Sequence, residues 1–145
     1  MIAYRKVRGL PRVAFADRRV LRGLLAGRGR FRLRFPGHGH HVEADVSRQV
    51  LVLARGGHVD RVYPMSSGAP ATPTILGSFR FYSKTLGVNA KGMVDSNYFH
   101  GGYAVHGYAS VPVFNASHGC LRVPIPDAAA IYNWVRIGDV VWVEP

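Results

Sequence analysis

The chain has one cysteine, Cys120, among 145 residues. It can form no internal disulfide, so the fold must rest on packing. No apolar stretch approaches the roughly 18 residues of a membrane span. The first apolar residues are interrupted by Arg5, Lys6, Arg8 and Arg12, so no secretory signal is read there. Acids are scarce: eight Asp and Glu face nineteen Lys and Arg, for a net charge of +11. That imbalance is local. Residues 1–40 hold eleven Lys and Arg against one acid, Asp17, whereas residues 41–145 carry only +1. The basic stretch can bind polyanions, or can be a solvated face in an arginine-rich composition, since sixteen of the nineteen bases are Arg. With 48% hydrophobic residues, the chain has enough apolar material for a real core.

Residues 1–26 read as a short helical hairpin. A-Y-R-K-V-R-G-L-P stops at Gly9 and Pro11. Asp17 is a fitting N-cap for R-R-V-L-R-G-L-L-A, a helix with Val20, Leu21, Leu24 and Leu25 on one face. Two such helices make no core alone. Residues 27–40 read as a basic linker entering a first strand, because Phe31, Leu33 and Phe35 alternate with arginines. His38, His40 and His41 lack the spacing and partners of a metal site, so no metal is expected.

From residue 41 onward the pattern is β. H-V-E-A-D-V alternates, and V-L-V-L-A-R is a continuous apolar run of the kind buried on both faces. H-V-D-R-V-Y-P-M-S-S-G predicts a third strand and S-F-R-F-Y-S a fourth. G-M-V-D-S-N-Y-F, Y-A-V-H-G-Y and G-D-V-V-W-V follow. One helix is predicted from Asp127 to Val135, ended by Gly138. The fold class is therefore mainly β, a sandwich or closed sheet over residues 41–145 with one C-terminal helix.

Cys120 lies in A-S-H-G-C-L-R-V, two residues after His118, and His106 lies upstream in A-V-H-G-Y. A free thiol has a pKa near ~8.5 and needs a base to become a nucleophile at neutral pH. His118 is near in sequence, and His106 can face Cys120 from a neighbouring strand; spacing does not choose between them. Gly119 allows close approach of a carbonyl, and amides around Gly119 and Cys120 can stabilise an oxyanion. Against this stands a plainer reading, in which Cys120 is core packing and both histidines bond backbone carbonyls.

The order A-V-H-G, then S-H-G-C-L-R-V, resembles the signature of the L,D-transpeptidase catalytic domain of the YkuD type. V-Y-P-M-S-S-G resembles that family's strand ending in a Ser-Gly pair. T-P-T-I-L-G-S-F resembles its Thr-Pro-x-Gly-x-Phe turn, here with an extra residue between Pro73 and Gly77. The resemblance spans residues 40–145. It implies an L,D-transpeptidase-type β-sandwich with Cys120 as nucleophile and His106 as base, the histidine being oriented by the carbonyl of Gly107. It implies an oxyanion hole shaped by His118, Gly119 and Cys120, a thiol that carbapenems acylate, and no cofactor. Arg122, Ser117, Tyr98 and Tyr103 are the expected substrate-side residues, with Phe99 a further candidate for the groove. Ser117 is read as a loop-fixing hydroxyl. The implied reaction uses peptidoglycan stem peptides at the cell wall, in the periplasm or outside the cell. Residues 1–26 resemble the C-terminal part of a peptidoglycan-binding module. Residues 1–40 are the candidate contact for an anionic wall polymer, and no nucleic acid is expected. Since all expected catalytic residues lie beyond position 95, residues 1–26 are expected to be dispensable for chemistry on small substrates.

Overall fold

The run Val50–Ala54 is apolar at every position because both faces of its strand are covered. In the computed structural model, which describes residues 1–145, these five residues are at most 1% exposed. Their strand, β2 (Val50–Arg55), pairs antiparallel with β1 (His40–Asp45) and β3 (His58–Pro64). The C-terminal strand β9 (Val140–Glu144) lies parallel to β1, and β4 (Gly77–Arg80) closes the sheet in the order β3-β2-β1-β9-β4. A second sheet has the order β5-β6-β7-β8, from β5 (Ser83–Val88), β6 (Val94–His100), β7 (Tyr103–Tyr108) and β8 (Leu121–Pro124).

Alternation assigns the two faces of β2. Leu51 and Leu53 join Val42, Ala44, Val141 and Val143 in the main core, with Val105, Leu121 and Val123 from the second sheet. Val50 and Val52 point the other way, into a smaller cluster with Phe31, flanked by Val7, Leu33, Val59 and Val62. The N-terminal segment is thus the cover of the first sheet's outer face. Helix α3 (Ile125–Trp134) packs against β6, β7 and β8 and sends Ala128 and Ile131 into the main core. It starts two residues before the predicted Asp127; Pro126 sits in its first turn, where a missing N–H costs nothing.

Three details depart from the sequence reading. S-F-R-F-Y-S is not one strand: β4 pairs with β9, β5 pairs with β6, and the buried Phe81 sits where the chain changes sheets. Residues 31–35 form no ladder, because the amides of Arg34 and Phe35 donate to the buried carboxylate of Glu43 at 2.9–3.1 Å. Phe35 stacks on Trp142 instead, ring centroids 4.3 Å apart. In α2 (Arg18–Leu25), capped by Asp17, Val20 is buried but Leu21, Leu24 and Leu25 face outward. The short helix α1 (Ile2–Val7) packs on β3 and β2.

Candidate active site

The parallel pairing of β7 with β8 sets His106 opposite Arg122 and Gly107 opposite Val123. Cys120 directly precedes β8, so the histidine strand and the cysteine turn open onto one cleft. That cleft, about 280 Å³, is lined by Lys91, Met93, Gly102, His106, Tyr108, His118, Cys120 and Arg122.

His106 is 3% exposed, and its Nδ1 lies 2.9 Å from the carbonyl oxygen of Gly107. A carbonyl only accepts, so Nδ1 carries the proton and Nε2 is left as the basic atom. Packing requires glycine at position 107, because a Cβ there would come within 2.7 Å of the Cβ of Ala128 on α3. Burial lowers the pKa of His106, its bond to Gly107 opposes this, and Arg122 lowers it further. Burial raises the pKa of Cys120, with smaller opposing effects from the Ala104 backbone, Arg122 and Lys91. Both shifts favour a neutral imidazole beside a neutral thiol at rest. The thiol proton has an acceptor, the carbonyl oxygen of Gly102, 3.6 Å from Sγ.

The turn carrying Cys120 is held from inside. Ser117 is 1% exposed; its hydroxyl donates to the Cys120 carbonyl at 2.5 Å and accepts from the Gly119 amide at 3.1 Å. Gly119 has φ +113°, and a Cβ would fall 2.5 Å from Cε1 of Tyr103. The Gly119 amide is therefore engaged, while those of His118 and Cys120 bond no protein acceptor. Of the three residues expected to shape an oxyanion hole, Gly119 contributes backbone shape rather than a free donor.

Arg122 has no carboxylate partner; its guanidinium lies 4.1 Å over the ring of Tyr108. Tyr103 packs beneath Gly119. Tyr98 is not brought to the cleft: it lies on β6 with its hydroxyl 3.4 Å from Asn89 Nδ2, and Phe99 is in the inter-sheet core. Sequence reading missed Tyr108, Lys91, Met93 and Gly102. Tyr108 had a signal, since it is two residues from His106 and period two puts both on one face. His38 and His41 both pack against Trp142, with His41 Nδ1 bonding the Gly39 carbonyl, while His40 pairs with Asp139. No group of three His, Cys, Asp or Glu residues converges as a metal-ligand set.

The family profile of the L,D-transpeptidase catalytic domain (YkuD) matches residues 39–143. An L,D-transpeptidase from Xylanimonas cellulosilytica superposes with a TM-score of 0.91 at 31% identity, over 98% of this chain and 77% of that one. The L,D-transpeptidase LdtMt1, solved in complex with imipenem, superposes at 0.63 with 26% identity, over 72% of this chain and 58% of that one. L,D-transpeptidase 1 of Mycobacterium tuberculosis is 29% identical in an alignment of 124 positions that covers 68% of this chain and 47% of the relative. This chain thus spans about half the length of the curated relative it matches. Since the matched residues take in every side chain of the cleft, from Lys91 to Arg122, the chain belongs to the L,D-transpeptidase catalytic-domain family.

Proposed function

We propose that the chain carries the catalytic centre of a peptidoglycan L,D-transpeptidase. The observation that carries this is the sharing of one cleft by the sole cysteine and a histidine whose Nε2 is left basic by the Gly107 carbonyl. His106 Nε2 takes the Cys120 thiol proton as Sγ attacks the carbonyl of the third residue of a tetrapeptide stem. The free amides of His118 and Cys120 meet the developing oxyanion. The C–N bond breaks, the imidazolium returns its proton to the leaving amine, and D-Ala departs. An amine of a neighbouring stem then attacks the thioester, His106 takes the proton this amine sheds, and the thiol leaves reprotonated. The product is a 3→3 cross-link. The unpaired Arg122 is suited to a substrate carboxylate. Tyr98 has no part in this reading, and Tyr103 acts only through Gly119. Such a substrate places the enzyme outside the cytoplasmic membrane, and no helix of the chain is long and apolar enough to cross one.

The test is release of D-Ala from a tetrapeptide stem, with Cys120→Ala as the control. Residual turnover above a tenth of wild type in that variant sinks the nucleophile assignment. Release of D-Ala with free tripeptide as the only other product makes the protein an L,D-carboxypeptidase, with water as acceptor. No release from wild type leaves a non-catalytic wall-binding protein.

A second reading concerns the N-terminal segment. Arg8, Arg19, Arg22 and Arg28 line a hollow of about 610 Å³ over Tyr4, and none of the four has an acidic partner. Unpaired guanidiniums of this density favour an anionic wall polymer. Binding to sacculi should weaken with salt and after Arg19→Gln with Arg22→Gln. Retention unchanged by both would remove the polymer from the reading, and equal affinity for duplex DNA would reassign the hollow as a non-specific anion site.

A further inference from the structure

A chain of buried hydrogen bonds runs from the N-terminal helix to the nucleophile turn. It begins at Lys6 of α1, 3% exposed, whose ammonium donates to the carbonyls of Gln49 at 3.0 Å and Met65 at 2.8 Å. Gln49, in the turn between β1 and β2, is 3% exposed and has φ +60°. A non-glycine residue rarely adopts that conformation unless its surroundings hold it there. Its side-chain amide is fully engaged: Nε2 donates to the Val46 carbonyl and the Ser67 hydroxyl, each at 2.6 Å, and Oε1 accepts from the Ser67 amide at 2.9 Å. The Ser67 carbonyl in turn accepts from the amides of Ala116 and Ser117, both at 2.9 Å. Ser117 is the residue whose hydroxyl bridges Gly119 and Cys120. Beside this path, Arg12 donates to the carbonyl of Val113 at 2.6 Å, in the loop that leads into the same turn.

Resting on the reading of Cys120 as the nucleophile, we propose that Gln49 is a positioning residue: through Ser67 it sets the Ser117–Cys120 turn, and Lys6 of α1 holds Gln49 in place. Three hydrogen bonds fix the amide of Gln49, two of them to Ser67. A shift there moves the Ser67 carbonyl, and the amides of residues 116 and 117 move with it. Acylation is sensitive to such a shift because it needs sulfur, base and oxyanion donors in register; a misplacement of about 1 Å costs on the order of a hundredfold in rate. Simple alkylation of the thiol needs no oxyanion donor and no such register.

The test compares two reactions of Cys120 in the 145-residue chain. Acylation by imipenem is followed by mass spectrometry, and alkylation by iodoacetamide is measured at the same pH. Gln49→Asn keeps a residue that tolerates a left-handed backbone but cannot reach Ser67. Lys6→Met removes the ammonium and keeps the volume. Each variant should remain folded by circular dichroism and lose tenfold or more in acylation rate, with alkylation changed less than twofold. Equal rates of acylation in wild type and both folded variants would overturn the proposal, as would parallel losses in both reactions or a loss that only tracks the unfolded fraction. If Lys6→Met fails to fold, Gln49→Asn decides alone, and Lys6→Arg serves as the second variant, expected to retain most of the acylation rate. Wild type that alkylates but never acylates would instead sink the nucleophile reading itself.

Discussion

Cys120 and His106 respond to one buried environment in opposite directions, the thiol pKa rising and the imidazole pKa falling. Removal from water penalises a thiolate and an imidazolium alike. Both directions favour the proton on sulfur over a preformed thiolate–imidazolium pair. Because Cys120 is the only cysteine, thiolate absorbance or iodoacetamide rate against pH reports it alone. Its apparent pKa should lie above the ~8.5 of a free thiol, and acylation should accelerate as pH rises from 7 towards 9. A thiolate already formed at pH 7 would contradict this. The roles of the histidines separate in the same assay. His106→Gln should cost ~10²–10⁴ in acylation rate, whereas exposed His118 acts through its backbone, so His118→Gln should cost far less. The reverse ranking would reassign the base. The candidate pair was legible in A-V-H-G and S-H-G-C-L-R through the family resemblance, since spacing alone does not choose between His106 and His118. Gln49 was not legible. A glutamine in a S-R-Q turn carries no pattern, and its partners Ser67 and Lys6 are 18 and 43 residues away.

At the scale of elements, alternation and apolar runs were enough to reveal the β2 and β9 strands and the α3 helix, since their side chains face a core. The segment 27–40 misled for a physical reason. Phe31, Leu33 and Phe35 alternate as in a strand, but the nearest backbone donors are captured by the Glu43 carboxylate, a competition no periodicity encodes. Helix α1 gives its own test. Burial, then repulsion from Arg12, lowers the pKa of Lys6 from its usual 10.5 to about 8. Between those values the unfolded chain holds a proton that the folded chain has released. Stability contributed through Lys6 therefore increases as pH rises from about 8 to 10.5 and is flat below 8. Denaturant unfolding of wild type and Lys6→Met across that range should show the rise only in wild type, as a difference that cancels other titrating groups such as Lys84. Identical pH profiles would mean that Lys6 is solvated rather than inserted between the Gln49 and Met65 carbonyls.

For the whole molecule, the sequence divides by charge, and the structure does not divide there. The +10 segment forms the outer cover of the first sheet: Phe31 lies on Val50 and Val52 and is 8% exposed, and Lys6 is nearly as buried as the core. Charge revealed composition but not packing, because Lys6 and Arg5 are the buried bases of a mostly exposed set. The Xylanimonas enzyme superposes on 98% of this chain, so the shared architecture extends through the N-terminal helices and is not confined to the family-matched residues 39–143. The contacts of residues 1–26 argue for a different outcome from the dispensability expected from the sequence. Their loss would strip the Gln49 and Met65 carbonyls of the Lys6 donor and free the 109–116 loop from Arg12. Catalysis needs the cleft held to a fraction of an ångström, whereas the main core between the sheets contains no residue from 1–26. A chain starting at residue 27 should therefore still fold, with a lowered melting temperature, and should release D-Ala from a soluble stem at least tenfold more slowly than the full chain. Adding a peptide of residues 1–26 in trans should recover part of that rate, since the contacts it restores are hydrogen bonds to preformed carbonyls. A truncated protein that melts lower but turns over small stems at the full rate would show that the N-terminal cover stabilises the sheet and leaves the nucleophile turn to hold itself.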